Sequence, residues 1–203
     1  MIKTLPNSGQ SDKVLWQQLK DGSELALGAL IRQYFNPLLN YGLKFIRDEA
    51  FVKDCVQEVF IEIWNRRERV TVPDSVRAYL LSSVRKRVLR EAYRQQILRE
   101  EEPADLENNG HFVEFSPEWI LIENETLAQT KERIEKVLSM IPKRQREVIY
   151  LRYYQNLERD EIAEIMNVNP QSVSNLLQTA YISMREYWPM IILLKGGWVS
   201  LTF

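Results

Sequence analysis

The run from Asp160 to Arg185, DEIAEIMNVNPQSVSNLLQTAYISMR, constrains the fold more than any other part of the chain. Ile162, Ala163, Ile165 and Met166 give a short first helix one apolar face, and Val173, Leu176, Leu177, Ala180 and Met184 recur at three-to-four spacing on a second. Between them stands Asn167-Val168-Asn169-Pro170. Asn167 can adopt the left-handed conformation that ends a helix, Asn169 can cap the next one, and Pro170 fits a first helical turn because no amide partner is needed there. The pattern predicts a helix-turn-helix. On the outer side of the second helix, Gln171, Ser172, Ser174, Asn175, Gln178 and Thr179 carry groups that donate to and accept from base edges in a major groove. Apolar spacing alone favours a helical hairpin whose polar side is merely solvated, since most such hairpins bind no nucleic acid. The choice between the two rests on the remaining sequence.

Other regions also read as helices. VLWQQL from Val14, a stop and new cap at Asp21-Gly22-Ser23, and ELALGALIRQYFNPLLNYGLKFI predict a short helix and a longer one broken near Pro37. Asp48 or Asp54 can open the next helix, on which Val52, Val56, Val59 and Ile63 form a stripe. Asp54, Gln57, Glu58 and Ile61 fall on its opposite, polar side. Phe60, Trp64 and Cys55 read as core. An arginine-bearing loop, NRRERVTVPDS, leads to a helix from Val76 whose apolar set is Tyr79, Leu80, Val84, Val88 and Leu89. Between Arg77 and Arg99 that stretch carries Arg85, Lys86, Arg87, Arg90 and Arg94 against one acid, Glu91.

Charge then reverses. Glu100 to Glu125 holds nine acids and no lysine or arginine, together with Pro103, Gly110 and Pro117, a composition that repels itself and buries little. It predicts a flexible linker, and explains how a chain with formal net charge -1 can still carry one strongly basic helix. Beyond it, Leu127, Ile134, Val137, Leu138 and Ile141 predict a helix ending at Pro142, and KRQREVIYLRYYQNL another with Val148, Ile149, Leu151 and Tyr154 inward. After Trp188 the chain is apolar, MIILLKGGWVSLTF, interrupted by Gly196-Gly197. No period-two alternation marks a strand, so the fold class expected is all-α, with two small helical domains joined by a flexible acidic linker. The boundaries expected are a flexible lead-in at 1–13, a first domain at 14–97, the linker at 98–125, a second domain at 126–187 and the apolar tail at 188–203.

Several function classes drop out. A single cysteine, Cys55, excludes an internal disulfide framework and fits a reducing compartment. A single histidine, His111, excludes Cys/His zinc clusters and argues against a hydrolytic triad. There is no Gly-rich phosphate loop, so neither an enzyme nor a small-molecule substrate, cofactor or metal is expected. MIKTLPNSGQSDK has no apolar segment of the secretory kind and no run reaches the roughly 20 apolar residues of a bilayer span, so a cytoplasmic place is expected.

Taken together, three stretches resemble an extracytoplasmic-function sigma factor of bacterial RNA polymerase: DCVQEVFIEIW (Asp54 to Trp64), AYLLSSVRKRVLREAYR (Ala78 to Arg94) and Ile141 to Arg185. The resemblance covers about Ser23 to Tyr187. It implies that the first domain is sigma region 2 and the second sigma region 4. The D-x-x-Q-E-x-F signature would dock on a coiled coil of the polymerase β′ subunit through Asp54, Gln57, Glu58 and Ile61. Arg66, Arg67, Tyr79, Arg85, Lys86 and Arg87 would melt and read the -10 promoter element. Region 4 would read the -35 element through Gln171, Ser172, Ser174, Asn175, Gln178 and Thr179, with Arg152 and Arg185 on phosphates, and would touch the β flap. The partners implied are core RNA polymerase, promoter DNA and a membrane-anchored anti-sigma factor; the apolar tail either folds back on region 4 or docks that anti-sigma factor. Lys86 stands where many members have asparagine and Arg90 where many have aspartate, while Ser174 and Thr179 stand at positions often filled by arginine. A stand-alone helix-turn-helix regulator with an N-terminal ligand or dimerisation domain is the rival, and it gives no reason for the acidic face followed by a basic, aromatic helix.

Overall fold

The computed structural model describes residues 9–98 and 136–194, with side chains over 11–95 and 136–187. The acidic stretch beyond Leu98, the start of the helix expected from Thr126, the side chains of Met190 to Leu194 and the tail beyond them lie outside the described residues. Every regular element among the described residues is helical: α1 (Gly9–Lys20), α2 (Glu24–Gly42), α3 (Glu49–Asn65), α4 (Val76–Leu98), α5 (helical at 136–140), α6 (Lys143–Ile149), a π-helical turn (Tyr150–Tyr154), α7 (Arg159–Met166) and α8 (Pro170–Leu194).

Contacts divide the chain into two units, Met1–Glu114 with Asp160–Asn169 and Phe115–Arg159 with Pro170–Phe203, so α7 goes with the first and α8 with the second. In the first unit α2 is the central element, packed on α1, α3 and α4. Gly22, at φ +91°, ends α1, and its amide donates to Leu19 O at 2.9 Å. Ser23 then caps α2, its Oγ accepting from Ala26 N at 3.3 Å. The buried set Ala26, Leu30, Tyr34, Leu38 and Tyr41 keeps one stripe down the whole of α2. Helix α3 opens on Asp48, whose Oδ1 accepts from Phe51 N at 3.0 Å, and buries Val52, Cys55, Val56, Val59, Phe60 and Ile63. Helix α4 starts beyond Ser75, whose Oγ accepts from Ala78 N at 3.2 Å, and buries Val76, Ala78, Leu80, Leu81, Val84 and Val88.

Three expectations need correcting here. Helix α2 is not broken at Pro37 but runs through it. Proline removes one amide donor and crowds the preceding turn, and burial of Tyr34 on one side with Leu38 and Tyr41 on the other offsets that cost. Helix α1 begins at Gly9, inside the stretch expected to be a loose lead-in, because Asp12 is buried and its carboxylate accepts from Tyr34 Oη and from Gln33 Nε2. Trp64 is half-buried rather than core: in the last turn of α3 its ring lies beneath the Arg67 guanidinium, 4.5 Å from the centroid.

In the second unit Val137, Leu138, Ile141, Ile149 and Ala180 form a core against which Met184 and Tyr187 pack. The stretch expected to be one helix after Pro142 changes pitch at Tyr150. Gln155 N donates to Tyr150 O at 3.0 Å and Leu157 N to Leu151 O at 3.1 Å, while Tyr150 stacks on Tyr154 with centroids 4.9 Å apart. Buried Gln155 is satisfied by donating to Tyr150 Oη at 2.7 Å. Asn156, at φ 50°, then redirects the chain toward α7.

Candidate polymerase and nucleic-acid interfaces

Because Val52, Val56, Val59 and Ile63 turn inward, α3 has an opposite side that must face outward. Asp54, Gln57, Glu58 and Ile61 are all exposed there, Ile61 at 57%. An aliphatic side chain that exposed, flanked by an amide and two carboxylates, is suited to a partner helix carrying basic groups around an apolar contact.

The opposite charge lies close by. Arg87 of α4 donates through Nη1 to Glu58 Oε2 at 3.0 Å and through Nη2 to Glu62 Oε2 at 2.6 Å, tying α4 to α3. Glu62 also pairs with Arg66 at 2.9 Å. Glu91, the one acid of the basic stretch, sits between Arg90 at 3.4 Å and Arg94 at 3.5 Å. Beneath this network is a cleft of about 220 Å³ lined by Val59, Glu62, Ile63, Arg66, Val70, Tyr79, Ser83, Lys86, Arg87 and Arg90. It combines cations for phosphates with a half-buried aromatic ring. Burial pushes the Tyr79 hydroxyl's pKa up, against a smaller lowering from Ser83, so the ring stays neutral at physiological pH.

Residues that the sequence did not single out position this cleft. Trp16 of α1 is fully buried, meets Tyr79 edge-on with centroids 5.1 Å apart, and donates from Nε1 to Thr71 O at 3.1 Å. One indole thus fixes both the aromatic ring of α4 and the arginine-bearing loop. Glu62 and Ser83 belong to the lining, and no local sequence signal marks them, since each is defined by what packs across from it. Arg67 donates to Trp64 O at 3.0 Å, Arg85 is half-buried and Lys86 is exposed.

Asn167, at φ 53°, makes the turn before α8, whose first residue is Pro170, as the sequence predicts. Gln171, Asn175, Gln178 and Thr179 are exposed, while Ser172 and Ser174 are half-buried. Gln171 Nε2 donates to Asn175 Oδ1 at 3.1 Å, which sets two amides side by side one turn apart. Two hydroxyls turn back on the helix: Ser174 Oγ donates to Pro170 O at 3.4 Å, and Thr179 Oγ1 is within 2.9 Å of Asn175 O and 3.1 Å of Leu176 O. Gln171, Asn175 and Gln178 therefore extend furthest as amides. Arg152 is held at the π turn by Leu157 O and Glu158 Oε2, both at 2.8 Å, and the bond to Glu158 raises its pKa, so it carries a fixed positive charge. Arg185 is exposed further along α8. The Tyr153 and Tyr181 hydroxyls are hydrogen-bonded to each other, and burial followed by that bond pushes Tyr181 up to about 12.

Residues 30–97 match sigma-70 region 2, and residues 131–184 match sigma-70 region 4. The chain is a sigma-70 family sigma factor. A factor of this family binds RNA polymerase and DNA without catalysis of its own. Two solved structures share the fold. CnrH, solved in complex with the cytosolic domain of CnrY, is 17% identical with a TM-score of 0.58, over 92% of this chain and 99% of that one. The sigma factor RpoE from Bartonella quintana, solved in complex with the anti-sigma factor NepR, is 16% identical with a TM-score of 0.54, over 84% and 98%. No curated protein matches the chain. The region 2 match sets aside the rival in which the N-terminal half is a ligand or dimerisation domain. Among the described residues, no helix of the sigma factor is long and apolar enough to cross a membrane.

Proposed function

We propose that this sigma factor docks on the β′ coiled coil of core polymerase through Asp54, Gln57, Glu58 and Ile61, and opens and reads the -10 element in the adjacent basic cleft. The observation that carries this reading is the juxtaposition on α3 and α4: an acidic, partly aliphatic outer face is joined by Arg87 to a cation-lined cleft with an aromatic wall. Arg66, Lys86 and Arg87 neutralise phosphates there, with Arg67 and Arg85 on the approaches, and Tyr79 offers a face to an unstacked base. Region 4 reads the -35 element through Gln171, Asn175 and Gln178, with Ser172, Ser174 and Thr179 along the same helix, Arg152 and Arg185 on the backbone, and the β flap as its polymerase contact. With few cations on α8, its affinity for DNA depends on being held by polymerase. The factor works in the cytoplasm and is kept silent by a membrane-anchored anti-sigma protein, a reading supported by the complex of RpoE with the anti-sigma factor NepR. Run-off transcription from genomic fragments with purified core enzyme tests the whole. Discrete starts that require this chain are expected, and their absence refutes the proposal.

A further inference from the structure

Arg87 stands where the docking face and the cleft meet. Its side chain is 14% exposed; Nη1 is 3.0 Å from Glu58 Oε2 and 4.0 Å from Glu91 Oε1, and Nη2 is 2.6 Å from Glu62 Oε2. The two main acceptors differ in surroundings. Glu58 is 62% exposed and shares the outer face of α3 with Asp54, Gln57 and Ile61, whereas Glu62 is 42% exposed and lines the cleft together with Arg87 itself.

We infer that Arg87 is a positioning residue that couples docking to DNA binding: a cationic side chain of a docked partner takes Glu58, and the released Nη1 edge of Arg87, still held by Glu62, becomes a phosphate donor in the cleft. The inference rests on the docking and cleft assignments proposed above. An ion pair whose acid is mostly in water is weak and exchanges easily, since the carboxylate loses little by changing one cation for another. The shorter pair with Glu62 keeps the guanidinium at the cleft wall while this happens. In the unpartnered factor Glu58 masks part of the cleft's charge, and a docked partner removes the mask without any movement of the backbone. Such coupling is a difference in contacts between two states.

The test measures binding of a fluorescent, mixed-sequence single-stranded oligonucleotide to the full chain without polymerase, across salt concentrations. Glu58→Gln should steepen the slope of log affinity against log salt by about 0.7, one additional phosphate contact on a single strand. Its advantage over the parent chain should then be about 2.6-fold larger at 50 mM than at 200 mM salt. Glu58→Asp keeps the charge but withdraws the carboxylate by one methylene, and should steepen the slope in the same direction. Asp54→Asn removes the same charge from the same face and should leave the slope where it was. Adding Arg87→Gln to Glu58→Gln should return it to the parent value. Equal slopes for Glu58→Gln and Asp54→Asn overturn the coupling while leaving the cleft as a DNA site. Failure of every form to bind the oligonucleotide overturns the cleft assignment, and the coupling with it.

Discussion

At Gly42 helix α2 passes α3 so closely that a methyl group has no place. A Cβ built there would come far closer to Val52 Cγ1 than the 3.4–4 Å of an ordinary contact, and would stand 3.7 Å from Val84 Cγ1 of α4. Val52 is fully buried, and a β-branched side chain on a helix has essentially one χ1 rotamer, so the obstruction cannot swing aside. Overpacking of this kind costs about 1–3 kcal/mol. Alanine returns at most about 1 kcal/mol over glycine in a helix, and less at a terminal residue such as this one. Gly42→Ala should therefore destabilise the first unit by about 1–2 kcal/mol, a fall in Tm of roughly 5–15 °C for a unit of this size. Gly28 lies in the same helix, and its Cβ would meet only the mobile tip of Arg32, at 3.4 Å. Gly28→Ala should raise stability by about 0.5–1 kcal/mol. Thermal melts followed by circular dichroism compare the two variants directly. A Gly42→Ala protein that matches Gly28→Ala in sign would refute the packing argument, and with it the spacing of α3 and α4 on which the cleft depends.

Replacing Asp54 and Gln57 together by alanine should abolish binding to core polymerase in a pull-down while leaving helicity and Tm nearly unchanged; collapse of the fold would make both residues structural. Asn175→Ala should relax preference at one upstream promoter position by about 1–3 kcal/mol, read by transcription from a set of singly substituted promoters, and an unaltered profile removes it from the reading set. Burial, reinforced by Glu91 and partly opposed by Arg87, pushes the Cys55 thiol up to about 11. At pH 8 the folded protein should react with a thiol reagent at least about 100-fold more slowly than the unfolded chain, because burial lowers the thiolate fraction and also blocks access. Because the folded thiol keeps its proton after the unfolded one has lost it, this group's contribution to stability should fall as pH rises from about 9 to 11, and Cys55→Ala should remove that part of the slope in urea titrations.

How much was legible in the sequence depended on how far each cause reaches along the chain. The caps at Ser23 and Asp48, the left-handed Asn167 and the buried stripe of α3 are set by neighbours within one or two turns, and they appear where the pattern puts them. The outer face of α3 follows from that stripe by elimination. Pro37 misled because its local cost is offset by packing of residues on both sides of it. Asp12 and Trp16 were invisible as structural residues since their partners, Tyr34, Thr71 and Tyr79, lie elsewhere in the sequence. The cleft was legible as a cluster of arginines and a tyrosine. Its internal wiring, in which Arg87 answers to two acids of another helix, was not, because a run of like charges says nothing about which member finds a counter-ion.

The π turn at Tyr150–Tyr154 marks a place where this chain can change length. It accommodates one residue more than an α turn would, so deleting one of the five would close a regular helix with the residues beyond it nearly in phase, whereas a deletion from an α turn rotates everything downstream by roughly 100°. Leu157 would keep its buried side, and the change would fall on the Tyr150–Tyr154 stack and the bond from Gln155 to Tyr150 Oη. An irregularity of this sort takes up a change of length where it stands, and it persists through length, not through the identity of any one side chain.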